Sequence, residues 1–236
     1  MQVHRSSLEA PTITDVGEQS MSYERKLSPF LTQLGAVLRD RLLEEKWLLA
    51  TSLRVGKQWL DALTLNGISV VNCRLFTVPG VAMRFAEAHL IEHGLAYCNE
   101  KRQLFIVDNI LASLSSDESK YFTNLFPGPS LSKRVSGMLN ALELAGIEVE
   151  DLYPHFFDGR AKYEDIVWVF RRYRDILAEN KLADYSDVLK IAANSVACKQ
   201  TGASNNAQVV IVPKELELCA LERQFLASFP MDTVIY

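Results

Sequence analysis

Three short apolar runs, residues 46–52 (KWLLATS), 68–78 (ISVVNCRLFTV) and 208–213 (QVVIVP), are each followed by a stretch with helical periodicity. The runs are rich in β-branched and aliphatic residues and read as strands that are apolar on both faces. A strand buried on both faces needs helices above and below it, and joining such strands in parallel needs helical crossovers. The chain is therefore expected to be α/β, built on a parallel sheet.

The helical pattern divides the chain further. Phe30, Leu31, Leu34, Val37, Leu38 and Leu42 recur at helical spacing and predict an amphipathic helix over 23–45. Helices are predicted over 55–66, ended by Gly67, and over 81–93 after the Pro79-Gly80 punctuation. Beyond Gly94 the pattern is helical over 99–114, 130–146 and 162–181, with turn-rich FPGPS and FFDGR between. A helix over 184–197, a polar link over 198–207 and a last helix over 215–229 bracket the third strand. The expected organisation is a flexible leader at 1–22, an α/β subdomain from 23–94 and 183–236, and a helical insertion subdomain at 95–182.

Composition bounds the function classes. With 236 residues, of which 48% are hydrophobic and 23% charged, the chain can bury a real core. A net charge of -4 gives no overall attraction to nucleic acid or anionic lipid, so any DNA contact must come from local patches. Cys73, Cys98, Cys198 and Cys219 lack Cys-x-x-Cys spacing, which suggests neither a zinc cage nor a disulfide framework and fits a reducing cytoplasm. No apolar run approaches the ~20 residues that span a bilayer, so no membrane partner is expected.

The stretch from Thr51 to Gln58 can be set against the phosphate loop G-x-x-x-x-G-K-[ST]. Such a loop needs glycines so that backbone N–H groups can close on phosphates, a lysine for the outer phosphates and a hydroxyl for magnesium. Gly56 and Lys57 are kept, while Thr51 replaces the first glycine and Gln58 the hydroxyl. A solvated lysine at an ordinary strand-to-helix corner accounts for the pair as well.

Three segments, 44–86, 130–192 and 209–230, resemble in order and spacing the amino-terminal region of AddB-type (RexB-like) subunits of bacterial helicase-nucleases. The resemblance implies a helicase first domain of P-loop NTPase type whose motor is inactivated, in a family that carries a PD-(D/E)XK nuclease much further along. It implies a role in DNA recombination and double-strand-break repair, with DNA and a helicase or nuclease subunit as partners. ADYSDVL at 183–189 is similar to the Asp-Phe-x-Asp-Leu-Leu helix of UvrD-like helicases. The strand that follows should read V-D-E, yet Val212, Pro213 and Lys214 stand there, with Glu215 one place on. Without those carboxylates and the hydroxyl, metal placement and nucleophile positioning are both lost, and neither ATPase activity nor a cofactor is expected. LFTVPGVA at 75–82 resembles the motif that touches single-stranded DNA, through Thr77. Arg171, Arg172 and Arg174, with Lys133 and Arg134, could add phosphate contacts; the three arginines also suit a solvated helix face.

Two further patterns point elsewhere. His89, Glu92 and His93 fit His-x-x-Glu-His, in which two histidines one turn apart bind zinc and the glutamate polarises water; Glu179 could be the third ligand. That alternative makes the chain a zinc-dependent hydrolase, and a third makes it a vestigial ATP-binding module resting on Gly56 and Lys57. Asp108 with Glu118, Ser119 and Lys120 has nuclease-like spacing, but SSDESKYF reads as a polar turn rather than the buried strand this chemistry requires.

Overall fold

The computed structural model describes residues 27–114, 121, 122, 125, 128–199, 208–230, 234 and 235. In chain order the elements are α1 (Pro29–Asp40), β1 (Glu45–Leu49), α2 (Leu53–Leu65), β2 (Cys73–Phe76), α3 (Val78–His93), β3 (Ala96–Tyr97) and α4 (Glu100–Ser113). There follow α5 (Pro129–Leu144), α6 (Arg160–Glu179), β4 (Leu182–Ala183), α7 (Tyr185–Lys199), β5 (Gln208–Ile211), α8 (Ala220–Ala227) and β6 (Val234–Ile235). The fold is α/β and mostly helical, around a small parallel sheet of order β2-β1-β5-β6.

Alternation along the strands sorts their side chains into two layers. Leu48, Val209 and Ile211 face α1 and α2 and pack with Leu34, Leu38, Leu63 and Ile68. Trp47, Leu49, Val210 and Val212 face the other way, into a core with Val81, Ala86, Val188, Ala192 and Phe225 of α3, α7 and α8. Both faces of β1 and β5 are covered, which is why these strands are apolar at every position from Trp47 to Leu49 and from Val209 to Ile211.

Lys46 is an exception within β1: it is fully buried, and its Nζ donates to the carbonyls of Arg41, Leu42 and Glu44 at 2.6, 3.3 and 2.7 Å. One ammonium thereby gathers the carbonyls of the turn that leads from α1 into the sheet.

Several elements differ in extent from what their periodicity predicts. The second strand covers only Cys73–Phe76 of the expected 68–78, because Ile68 is drawn into the α1–α2 layer and Asn72 takes a left-handed φ of 52° before the strand starts. α3 starts at Val78, ahead of Pro79-Gly80, since a proline in the first turn forfeits no helical hydrogen bond. α8 starts at Ala220 rather than 215, where Cys219 and Glu222 cap each other. The expected first helix is confined to Pro29–Asp40, and residues 23–26 lie outside the described ones.

Between β3 and β4 the chain builds a second core from α4, α5 and α6, including Ile106, Val107, Leu139, Phe170 and Tyr173. Its two ends are joined, because Ala96 N–H donates to Lys181 O and Cys98 N–H to Ala183 O, both at 2.8 Å. Among the described residues no helix is long and apolar enough to cross a membrane.

Candidate functional site

The connections leaving β1 and β5 diverge: α2 leads to β2 on one side, and α8 leads to β6 on the other. In open parallel sheets the crevice outside the strand ends at such a divergence is the usual ligand site. Here its lip consists of Ala50, Thr51 and Ser52 after β1 and Val212, Pro213, Lys214 and Glu215 after β5.

The β1 side of this lip is tight. Ser52 caps α2 by accepting from Val55 N–H at 3.3 Å, so the helix starts at Leu53. Gly56 therefore lies inside α2, and its own N–H donates to Ser52 O at 3.1 Å rather than facing the crevice. Its lack of a side chain answers a packing need instead, since a Cβ there would stand 2.7 Å from Leu75 Cδ2 and 3.2 Å from Ala50 Cβ. Lys57 and Gln58 are exposed on the helix. On the β5 side Val212 and Pro213 are buried, while Lys214 and Glu215 are exposed in a turn closed by Leu216 N–H to Pro213 O at 2.9 Å. At this lip Val212 is thus followed by a buried imino acid and an exposed cation.

Thr77 stands at the end of β2 as the N-cap of α3, its hydroxyl accepting from Gly80 N–H at 3.2 Å. Removing such a cap costs about 1 kcal/mol. Thr77→Ala should lower stability by about that amount in a urea titration, and Thr77→Ser should restore it.

The three arginines of α6 part company. Arg171 is exposed on the rim of a cavity, Arg172 is exposed and bridges Glu179 at 3.0 Å, and Arg174 turns inward. Arg174, expected among the DNA contacts, pairs with Asp187 at 2.8 Å, Glu143 at 3.1 Å and Asp184 at 3.4 Å. Tyr173 Oη donates to Asp184 at 3.1 Å, and Ser186 Oγ to the same carboxylate at 2.8 Å. Asp184 and Asp187 also cap α7 reciprocally: Asp184 accepts from Asp187 N–H at 3.1 Å, and Asp187 from Asp184 N–H at 3.3 Å. Burial, and then the neighbouring Asp184 and Arg174, act on Glu143, with the net result that its carboxyl is pushed up to about 8. A cavity of about 410 Å³, lined in part by Glu143, Arg171, Arg174, Ser186 and Lys190, opens beside this cluster.

This polar cluster is what sequence reasoning missed. The Asp-x-x-Asp spacing at 184 and 187 is visible as a helix start, but its guanidinium partner lies on the preceding helix, across a turn that no local pattern specifies.

Among the described residues the remaining motifs gather no metal-ligating group. His89 and His93 stack with ring centroids 3.9 Å apart, and His93 Nδ1 lies 3.0 Å from His89 O. Glu179, the nominated third ligand, is engaged by Arg172, and among the described residues no group of three or more His, Cys, Asp or Glu side chains could hold a metal ion. Asp108 accepts a hydrogen bond from Ser132 Oγ at 2.5 Å, while Glu118, Ser119 and Lys120 lie outside the described residues.

No protein-family model matches the chain, and no curated protein matches it.

Proposed function

We propose that this chain is a non-catalytic, helicase-like α/β domain of P-loop NTPase ancestry that serves as a scaffold in a DNA-break-processing assembly. The observation that carries the non-catalytic part is the lip of the β1–β5 crevice, where Pro213 and Lys214 stand in place of carboxylates and the Gly56 amide is bound within α2. A lip so composed supplies neither a magnesium site nor a base for water. The helicase likeness rests on the resemblance in segment order, and the helical block between β3 and β4 has the placement that such a domain gives its insertion. A helicase or nuclease subunit is the partner this reading names. Single-stranded DNA would be held through exposed Arg171 and Arg172, with Arg174 withdrawn from that role by its three carboxylates.

Two titrations test the proposal. Thermal unfolding followed against Mg-ATP should be unaffected by nucleotide, and equally so in Lys57→Ala; a concentration-dependent rise in Tm would make the corner a working nucleotide site. Fluorescence anisotropy with labelled oligo(dT) at low salt should show binding that weakens in Arg171→Ala/Arg172→Ala and falls steeply with added salt. Absence of binding at 20–50 mM salt, roughly where phosphate contacts are strongest, would remove DNA from the proposal.

A further inference from the structure

The cluster around Arg174 spans the junction between the two cores. Glu143 belongs to α5 and Tyr173 and Arg174 to α6, while Asp184, Ser186 and Asp187 lie where β4 passes into α7, the helix that packs on α3 and α8. Three carboxylates thus converge on one guanidinium, and the side chains of Glu143 and Asp184 are each only 5% exposed. One positive charge does not balance three negative ones where two of the carboxylates are so buried.

Other charged groups are engaged elsewhere or stand at the rim. Across the cavity Lys190 binds Glu148 at 2.8 Å, with Arg171, Asp175 and Glu150 on the same lining. From α8, Glu222 is taken by Tyr185 Oη at 2.7 Å; on the α4 side, Asp108 is taken by Ser132. Cys98, at the end of β3, is buried beside the cluster and stays a thiol, because burial, and then Asp184, push it up to about 11 against the opposing pull of Arg102 on α4. A proton on Glu143, which burial and then Asp184 favour, reduces that imbalance.

We propose that this junction is a proton-operated latch: the protonated carboxyl of Glu143 holds α5 and α6 against the start of α7, and its loss sets three carboxylates on Arg174 and loosens the β3–β4 seam. The direction follows from linkage. Glu143 titrates at about 8 in the closed form against an ordinary 4.5, so opening releases a proton. The latch is at full strength below the ordinary value, weakens as pH rises through the interval and levels off above the upper one. Within that window the opening constant should rise by up to ~10-fold per pH unit.

Hydrogen exchange between pH 5 and 9 reads this directly, once rates are corrected for intrinsic base catalysis. The reporters are the Ala96 and Cys98 amides, which close the seam on Lys181 and Ala183, with the β1–β5 ladder amides as reference. Protection at the seam should fall with pH while the reference amides hold theirs, and Glu143→Gln, which keeps the shape and removes the titration, should abolish the fall. Asp187→Asn, with one carboxylate fewer, should shift the upper edge of the window to lower pH, and it provides a second reading if the glutamine variant does not fold. A seam whose protection ignores pH overturns the latch. So does a fall that persists in Glu143→Gln, or one shared equally by the β1–β5 amides.

Discussion

Arg174→Met is expected to destabilise the protein by about 3 kcal/mol at neutral pH, the lower part of the ~3–5 kcal/mol range for breaking a buried ion pair. Methionine keeps much of the aliphatic stem, so the loss isolates the guanidinium. Asp184 would keep its bonds from Tyr173 and Ser186, but Asp187 would lose its bidentate partner. The lower figure is chosen because the Arg174 side chain is 36% exposed and water screens part of its charge. Urea unfolding measures the effect. An unchanged midpoint would mean that Arg174 is a surface group after all and would return it to the pool of DNA contacts.

Lys46→Met should have an effect of similar size for a different reason. The Lys46 ammonium is buried with no carboxylate partner among the described residues and works as a three-way donor to the carbonyls of Arg41, Leu42 and Glu44. Methionine fills the space of the stem but donates nothing. The three bonds are only partly buried and Arg41 O keeps its bond from the Glu44 amide, but each bond lost is one from a charged donor, worth about 1.5–3 kcal/mol, so a total loss of about 3 kcal/mol is expected after relaxation of the turn. The change should fall on the α1–β1 connection, seen as faster exchange at Glu44 and Lys46, whose amides bond Arg41 O and Asn72 O. A loss below about 1 kcal/mol would mean that water replaces the ammonium at little cost.

These two residues mark where sequence reading stops. Periodicity found β1 and β5 because each is apolar on both faces, and it found α2, α5 and α6 because one face of each is buried. It overran β2 because Ile68, Val70 and Val71 are β-branched whether they sit in a strand or, as Ile68 does, in a helix layer beside it. Gly56 and Lys57 resembled half of a phosphate loop, yet what sets Gly56 is the distance to Leu75, a residue nineteen places on in the next strand.

By itself the sequence determined the class of the fold, since a strand apolar on both faces can be satisfied only between two layers of helices. The helix starts are also local, since Ser52, Thr77 and Asn99 carry their caps within three residues, although periodicity placed two of them at 55 and 81 rather than at Leu53 and Val78. Tertiary structure alone decided which charges are buried together. Lys46 looks like any strand-edge lysine, and Arg174 like its exposed neighbours Arg171 and Arg172, until the turn after α1 and the junction of α5, α6 and α7 close around them. Coulomb and hydrogen-bond partners are chosen by distance in space, and a pattern along the chain records that distance only for neighbours within a turn or two.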